Sequence, residues 1–540
     1  MINYLAKVRL LLVSLVVVVL LLASLTAPLS HLARAQDSNP CGVVDAIDYP
    51  VDGVSIEHDD FGMYRAGFNG RHTGIDMAFG RYGDPVRASA RGRVTFSDPA
   101  GWDTEKGVVI LEHTFPDDSV FFTLYGHMEE TNGHTFPKVG DCVGRGQVIG
   151  SVGHPLHGAP HLHYEIRRMK ASTGGPGYWS VDPLDGGWMH PIDFTEQWRL
   201  RLSPAFRQML SAGGAPTAPP LWHDGGTVTF AEEYHLEQRS ADSQTVWRLD
   251  TQGLDGIINL PDGRLLGRTT DDQILVVDGV AGRFTASWKP DRPLKSPPLR
   301  LGDSVVFLAD DNRAVSYDVD GKLRWQTDPL GTHIERYAQS GDHLAIVAGQ
   351  DSDTFNLTVI DPTGKVLYQA AAGAPIVPVA VANGGFIIMV TSQVALLGSD
   401  MTVKPLMDVG QALGRNSRIA RDAQGNVFIY PGQGQRIYAY AANGGLRWQA
   451  ALPTPQLEPP LLGVGDGCLL YVLTSDGSLL AYRAADGAVR GLTSLYAGGI
   501  KGHPASRFLN VSPDDQVQFS AGYLSIATID GPTLANDCKR

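Results

Sequence analysis

The stretch Pro160-His161-Leu162-His163-Tyr164-Glu165-Ile166-Arg167 alternates polar and apolar side chains. As a strand it points successive residues to opposite faces. His161, His163 and Glu165 then share one face, while Leu162, Tyr164 and Ile166 fill a core on the other. Two imidazoles so placed lie roughly 6.6 Å apart, at about 3.3 Å rise per residue. That is too far for a direct hydrogen bond and suited to flanking one metal-bound substrate. An H-x-H pair alone is a weak metal signal, so its meaning depends on what the rest of the chain supplies.

Working outward, residues 40–195 read as short strands and turns with no long helical pattern. The runs Val108–Leu111 and Val120–Tyr125 are strands, and Pro116-Asp117-Asp118 between them is hairpin chemistry. Two further constellations stand beside the H-x-H pair. Gly70-Arg71-His72-Thr73-Gly74-Ile75-Asp76 sets a histidine and an acid four residues apart. Its glycines speak against a helix, and a loop leading into a strand would let both groups reach one metal. Leu124-Tyr125-Gly126-His127 ends an apolar strand on a histidine. Each of these alone reads more readily as a solvated or strand-capping group.

The chain as a whole sets limits. Its 540 residues exceed a single core, and 62 glycines with 34 prolines favour turns and β-structure. The 44 basic and 57 acidic residues leave a net charge of −13, which argues against nonspecific nucleic-acid binding. Lys7 and Arg9 precede an apolar run, Leu10–Leu25, and Ala33-Arg34-Ala35 offers a cleavage site. Residues 1–35 are therefore expected to be a signal peptide, with an uncleaved membrane anchor as the alternative. No cysteine follows the run closely enough for a lipoprotein. The mature chain is expected outside the cytoplasm, where the even cysteine count suggests disulfides. Two cysteines lie in each half, so Cys41–Cys142 and Cys468–Cys538 are the expected pairs.

Beyond residue 195, Trp198, Leu202, Phe206 and Met209 could line one helical face, although Pro204 would break it. Residues 196–220 are expected as a linker, ending in a proline-rich run. Residues 221–540 repeat. Tyr317-Asp318-Val319-Asp320-Gly321-Lys322-Leu323-Arg324-Trp325 recurs in kind around Gly364, Gly444 and Gly487. The spacing is 43 residues from Gly321 to Gly364 and again from Gly444 to Gly487. A four-stranded propeller blade has about this period. Six whole units fit between Ile258 and Thr493. Residues 227–250 and 517–530 would combine into a seventh, with eight blades as the alternative. The repeats resemble those of quinoprotein (PQQ-like) propellers, in which Trp247, Trp288, Trp325 and Trp448 would pack between blades. No cluster of metal ligands in this half supports a redox site, so a binding or scaffolding role is expected.

Taken together, His72, Asp76, His127, His161 and His163 appear in the order and context of the lysostaphin-type (LytM, M23) zinc metallopeptidases. The resemblance spans about 120 residues and includes H-T-G-I-D-M-A, the strand ending Leu124-Tyr125-Gly126-His127, Lys138-Val139-Gly140-Asp141 and P-H-L-H-Y-E-I-R. It implies an antiparallel peptidase domain over residues 40–195 and hence an all-β protein. It further implies one Zn²⁺ held by His72, Asp76 and His163, with His127 and His161 as catalytic, non-ligating histidines. The expected activity is hydrolysis of peptide bonds in peptidoglycan stem peptides or cross-bridges by an exported, wall-associated endopeptidase. The other readings are a silent wall-bound adaptor and an exported peptidase acting on proteins. A protein or polymer partner is expected at the propeller, with no nucleic acid and no membrane contact after signal cleavage. Two departures stand out: His154 where relatives often have asparagine, and only Tyr64 or Phe68 where relatives often have a supporting tyrosine. His58, His113, His134, His154, His157 and His190 fit no ligand position and read as loop or surface residues.

Overall fold

The computed structural model describes residues 40–537 apart from 53–59, 171, 172, 176, 212–216, 224–226, 233, 241–243, 352, 382, 383, 415, 454, 455, 457, 466, 476, 494–507 and 521–524. The expected signal peptide, His58 and Cys538 lie outside the described residues. Among those described, no helix is long and apolar enough to cross a membrane. The chain forms two compact units, one ending at Leu202 and the other beginning at Ser203.

The first unit is built on antiparallel strands. A continuous path runs Trp188–Met189, Leu162–Arg167, Val120–Glu129, Gly107–Thr114, Gly92–Asp98 and Cys142–Val143. Ile75–Met77 joins at Leu162–Arg167, while Val148–Val152 joins at Val120–Glu129 and carries Pro85–Arg87. A small sheet of Tyr64–Arg65, Gly70–His72 and Tyr178–Trp179 accompanies them. The helix Pro191–Arg201 follows. His190 caps it by accepting from the Asp193 N–H, Pro191 opens its first turn, and Arg199 and Arg201 sit in its last turn. Its Trp198 and Phe194 pack on Phe115 and Phe121, with ring centroids 4.2 and 4.6 Å apart. The Cys41–Cys142 disulfide closes a separation of 101 residues. A loop of that size is worth on the order of 4–5 kcal/mol in chain-entropy terms. Cys468 is disulfide-bonded as well.

The second unit is a β-propeller. Its described residues form eight four-stranded sheets, the higher of the two expected blade counts. Six of them lie between Leu254 and Thr493, as the repeats indicate. The ends differ from expectation. Residues 221–250 form a complete blade of their own, Leu221–Trp222 to Thr245–Asp250. The eighth blade takes Leu509–Val511, Gln516–Ser520 and Ser525–Asp530 from the C-terminal end and Phe206–Ser211 as its outermost strand. Leu210, Val228, Phe230 and Ile526 form one apolar cluster, which joins the eighth blade to the first and closes the ring.

Residues 196–220 are therefore not a free linker. Residues 196–201 complete the first unit's helix, Phe206–Ser211 is a blade strand, and Ala218 is buried in the first blade's core. Pro204 stops the helix, and the apolar residues that fitted a helical face beyond it serve a strand instead.

The repeat has a physical cause. Each recurrent tryptophan donates its indole N–H to a backbone carbonyl of the next blade. Trp247 reaches Gly279, Trp288 reaches Val319, Trp325 reaches Pro362 and Trp448 reaches Ala484, at 2.9–3.0 Å. The recurrent glycine of that same turn lies under the ring. A Cβ at Gly321, Gly364 or Gly487 would sit 2.6–2.7 Å from Trp288, Trp325 or Trp448, and all three glycines have positive φ. A side chain there would clash and be strained.

Candidate functional site

The H-x-H segment leads into a strand of the first unit's main sheet that pairs with both Ile75–Met77 and Val120–Glu129. His163 pairs in register with Asp76 on one side and with Gly126 on the other. Sheet pairing alone thus brings Asp76, His163 and the residue next to His127 side by side. His72 ends its strand three residues before the one that carries Asp76 begins. Its Nε2 lies 2.8 Å from His163 Nδ1 and 3.2 Å from Asp76 Oδ1, and His163 Nδ1 is also 3.2 Å from that oxygen. All three residues are buried. His161 stands at the rim with its Nε2 3.7 Å from Asp76 Oδ1. Its ring centroid is 4.6 Å from that of His127. The structure therefore brings all five sequence-derived residues together.

The triad can be tested as a place for a cation. Donor atoms about 2.0–2.1 Å from a tetrahedral metal are separated by about 3.3 Å, close to the 2.8–3.2 Å found here. Each imidazole is also backed by a carboxylate on its far nitrogen. His72 Nδ1 lies 3.2 Å from Asp60 Oδ2, and His163 Nε2 lies 2.9 Å from Glu165 Oε1. Such outer carboxylates orient ligating rings and raise their basicity. Three buried acids, Asp60, Asp76 and Glu165, face two arginines, Arg65 and Arg167. The negative excess shows in the protonation equilibria. Burial opposes charge on His163, yet its hydrogen bonds to Asp76 and Glu165 raise its pKa to about 9. His72 moves up as well, because Asp60 and Asp76 outweigh its burial. Asp76 falls well below the usual carboxylate range because His163 and His72 outweigh its burial, and Glu165 falls to about 2 because His163, Arg167 and Thr73 outweigh its own. The pocket attracts positive charge, and its donor set fits a divalent metal ion.

His127 and His161 are held differently. Each has its Nδ1 2.8 Å from a backbone carbonyl, that of Glu105 for His127 and that of Ala159 for His161. In the neutral ring that nitrogen carries the hydrogen and donates it, which leaves Nε2 as an acceptor. Burial, reinforced by His161 and His163, lowers His127 to a pKa of about 3. His127 also has φ +56°, a left-handed backbone that costs a β-substituted residue of order 1 kcal/mol or more. The neighbouring Gly126 explains the fit, because a Cβ there would lie 2.3 Å from the Trp102 ring. Trp102 walls the site, its centroid 5.0 Å from His127 and 5.4 Å from His163. Phe79 stacks on His161 at 5.3 Å.

Sequence reasoning missed several of these groups. Trp102, Asp60, Arg65 and Tyr178 carry no local motif. Glu165 was visible as the third member of the alternating face. The aromatic neighbour of His72 is Tyr178, 5.5 Å away and paired in register with it. Tyr64 is exposed and bonds Asn69, whereas Phe68 stacks on Tyr178. His154 donates its backbone N–H to Glu129. His113, expected at the surface, is buried: one ring nitrogen lies 2.8 Å from Arg91 O and the other 2.7 Å from Thr123 Oγ1. Two polar partners inside the sheet let an otherwise apolar strand carry it inward.

Residues 70–175 match the model of Peptidase family M23, and residues 235–375 and 407–490 match that of PQQ_2, outer membrane protein assembly factor BamB. The chain carries an M23-type peptidase domain followed by a PQQ-like repeat propeller. No curated protein matches. Among solved structures, BamB from Moraxella catarrhalis is 13% identical, with 60% of this chain and 99% of that one covered and a TM-score of 0.42. The computationally designed Ika8 protein is 12% identical, with 60% and 99% covered and a TM-score of 0.45. Sqt1 of Saccharomyces cerevisiae is 13% identical, with 61% and 99% covered and a TM-score of 0.45.

Proposed function

We propose that this M23-type peptidase is an exported zinc endopeptidase that cleaves peptide bonds in peptidoglycan. The observation that carries the reading is the convergence of His72 Nε2, His163 Nδ1 and Asp76 Oδ1 within hydrogen-bond distance of one another, with His127 and His161 beside them outside the triad. His72, Asp76 and His163 would hold one zinc ion. When bound, zinc brings the pKa of a coordinated water toward about 7 and polarises a substrate carbonyl. With their Nδ1 atoms engaged by carbonyls, His127 and His161 keep Nε2 for the substrate. One takes the proton from the attacking water on its acceptor Nε2, and the other, once its own Nε2 carries a proton, donates a hydrogen bond to the oxyanion that forms on the scissile carbonyl. Trp102 and Phe79 hold these rings in place and keep bulk water off them. Asp60 and Glu165 keep the ligating rings in the required tautomers.

The propeller serves as a binding or scaffolding module for wall polymer or a protein partner. The match to PQQ-like repeats supports that role, and so does the use of the recurrent tryptophans for packing between blades. Purified full chain incubated with peptidoglycan should release new amino groups, and a chelator should stop the release. Absence of chelator-sensitive release would sink the proposal. Cleavage of unfolded protein but not of peptidoglycan would move the substrate to proteins.

A further inference from the structure

Arg65 and Asp60 stand immediately behind the proposed ligands. The two oxygens of Asp76 do different work. Oδ1 faces His72 Nε2 and His163 Nδ1, whereas Oδ2 accepts from Arg65 Nη2 at 3.0 Å. The same guanidinium nitrogen also pairs with Asp60 Oδ2. Asp60 in turn accepts the Asp76 backbone N–H on Oδ1 at 3.1 Å and lies 3.2 Å from His72 Nδ1 on Oδ2. Arg65 is fixed from the other side by Tyr178, whose hydroxyl accepts from Nη1 at 3.1 Å. Tyr178 is itself stacked on Phe68, with centroids 4.2 Å apart. The small sheet supplies this arrangement, pairing Arg65 with Gly70 and Tyr178 with His72. Arg65, Asp60, His72 and Asp76 thus form a closed ring of contacts behind the proposed metal position.

We infer that Arg65 is a positioning residue that limits Asp76 to a single donor oxygen towards the bound ion. The inference rests on the metal-site reading given above. A carboxylate free to rotate can offer both oxygens to one cation. The second would fill a coordination position that a catalytic metal site keeps for water or substrate. A charge-assisted hydrogen bond from a partly buried guanidinium is strong enough to hold Oδ2 away. Its bridge to Asp60 keeps the guanidinium from following the carboxylate. The three protein donors then stay three, and the water position stays open.

The test uses cobalt(II) in the full-length protein in place of zinc, read by its visible spectrum and by metal stoichiometry. Four-coordinate cobalt absorbs strongly in the visible, and five-coordinate cobalt absorbs weakly. The wild type should take one equivalent and show the strong bands. Arg65→Met and Arg65→Gln, measured side by side so that lost folding in one leaves the other to decide, should retain cobalt and lose those bands. Trp179→Ala perturbs the same small sheet without removing a partner of Arg65, and it should keep them. Strong bands persisting in both arginine variants would overturn the inference. So would an equal loss in Trp179→Ala, which would mark general disruption of the sheet. A wild-type protein that takes up no cobalt overturns the metal-site reading, and the inference falls with it.

Discussion

The two units spend buried polarity in opposite ways. In the peptidase unit, Asp60, His72, Asp76, His161, His163, Glu165 and Arg167 are all buried within a few residues of one strand and its neighbours. Each needs partners, and much of the local structure exists to provide them. In the propeller, central strands such as Ser304–Leu308 and Leu469–Leu473 are buried throughout and almost wholly apolar. Its recurrent aspartates lie instead in exposed turns, where Asp318, Asp361 and Asp486 accept backbone N–H groups from their own loops. Repetition therefore marks packing in this chain, and buried charge gathered in one pocket marks the candidate site. The propeller's buried charges, Glu232, Glu237, Arg268, Asp422 and Asp515, are instead spread over several blades. Perturbed protonation concentrated in one pocket is the usual signature of a working site.

The comparison can be broken most severely at the ligands. His163→Ala removes a donor and should leave the purified chain with no bound zinc by elemental analysis and no measurable hydrolysis. Zinc retained at one equivalent would contradict its assignment. Next in size, His127→Ala and His161→Ala should each lower kcat by about 10²–10⁴-fold, the usual worth of a positioned proton-transfer group, while zinc stays bound. If His161→Ala empties the site, the division of labour within the H-x-H pair is wrong.

In the propeller the same kind of truncation should act on stability alone. Trp448→Ala deletes a buried indole that bonds the next blade and should cost about 3–5 kcal/mol. Urea unfolding checks this, with the hydrolysis rate per folded molecule unchanged. A fall in that rate would mean that the recurrent tryptophans are not confined to packing.

The smallest of these effects concerns acid. His113 has an ordinary pKa of about 6.5 when unfolded, and burial lowers it to about 4 in the folded protein. Above pH 6.5 both states hold it neutral and its contribution to stability is complete. Between pH 6.5 and 4 the unfolded chain binds a proton that the folded one refuses, so stability falls by up to about 3 kcal/mol. Unfolding midpoints measured across that window should drop in the wild type and less in His113→Gln. Equal slopes would remove His113 as the cause.

Much of this organisation was legible in the residues, and for identifiable reasons. The H-x-H strand, the H-x-x-x-D pair and the terminal histidine of Leu124–His127 each sit on a short element, and antiparallel register does the rest. The six inner blades were legible because Trp288, Trp325 and Trp448 each meet a glycine of the next blade at a similar place in the repeat. The fifth blade, Ile376–Asp408, still belongs, although Gly444 meets Met407 where its counterparts meet tryptophan. The closing strand Phe206–Ser211 was not legible, because its partner Ser525–Asp530 lies some three hundred residues away and its apolar spacing suited a helix equally. Nor were Asp60, Arg65, Trp102 and Tyr178, whose meaning comes only from groups that the fold brings beside them. His113 misled for the opposite reason: a polar residue satisfied by Thr123 across the sheet looks like a surface residue in one dimension.

The central claim is that one metal ion, held by His72, Asp76 and His163, enables the peptidase unit to hydrolyse peptidoglycan. The direct measurement is a zinc titration of the chelator-stripped full chain, following amino-group release from peptidoglycan. The account predicts that activity is absent at the start, rises linearly and saturates at one zinc per chain. Hydrolysis that persists without zinc, or that saturates at another stoichiometry, would contradict it.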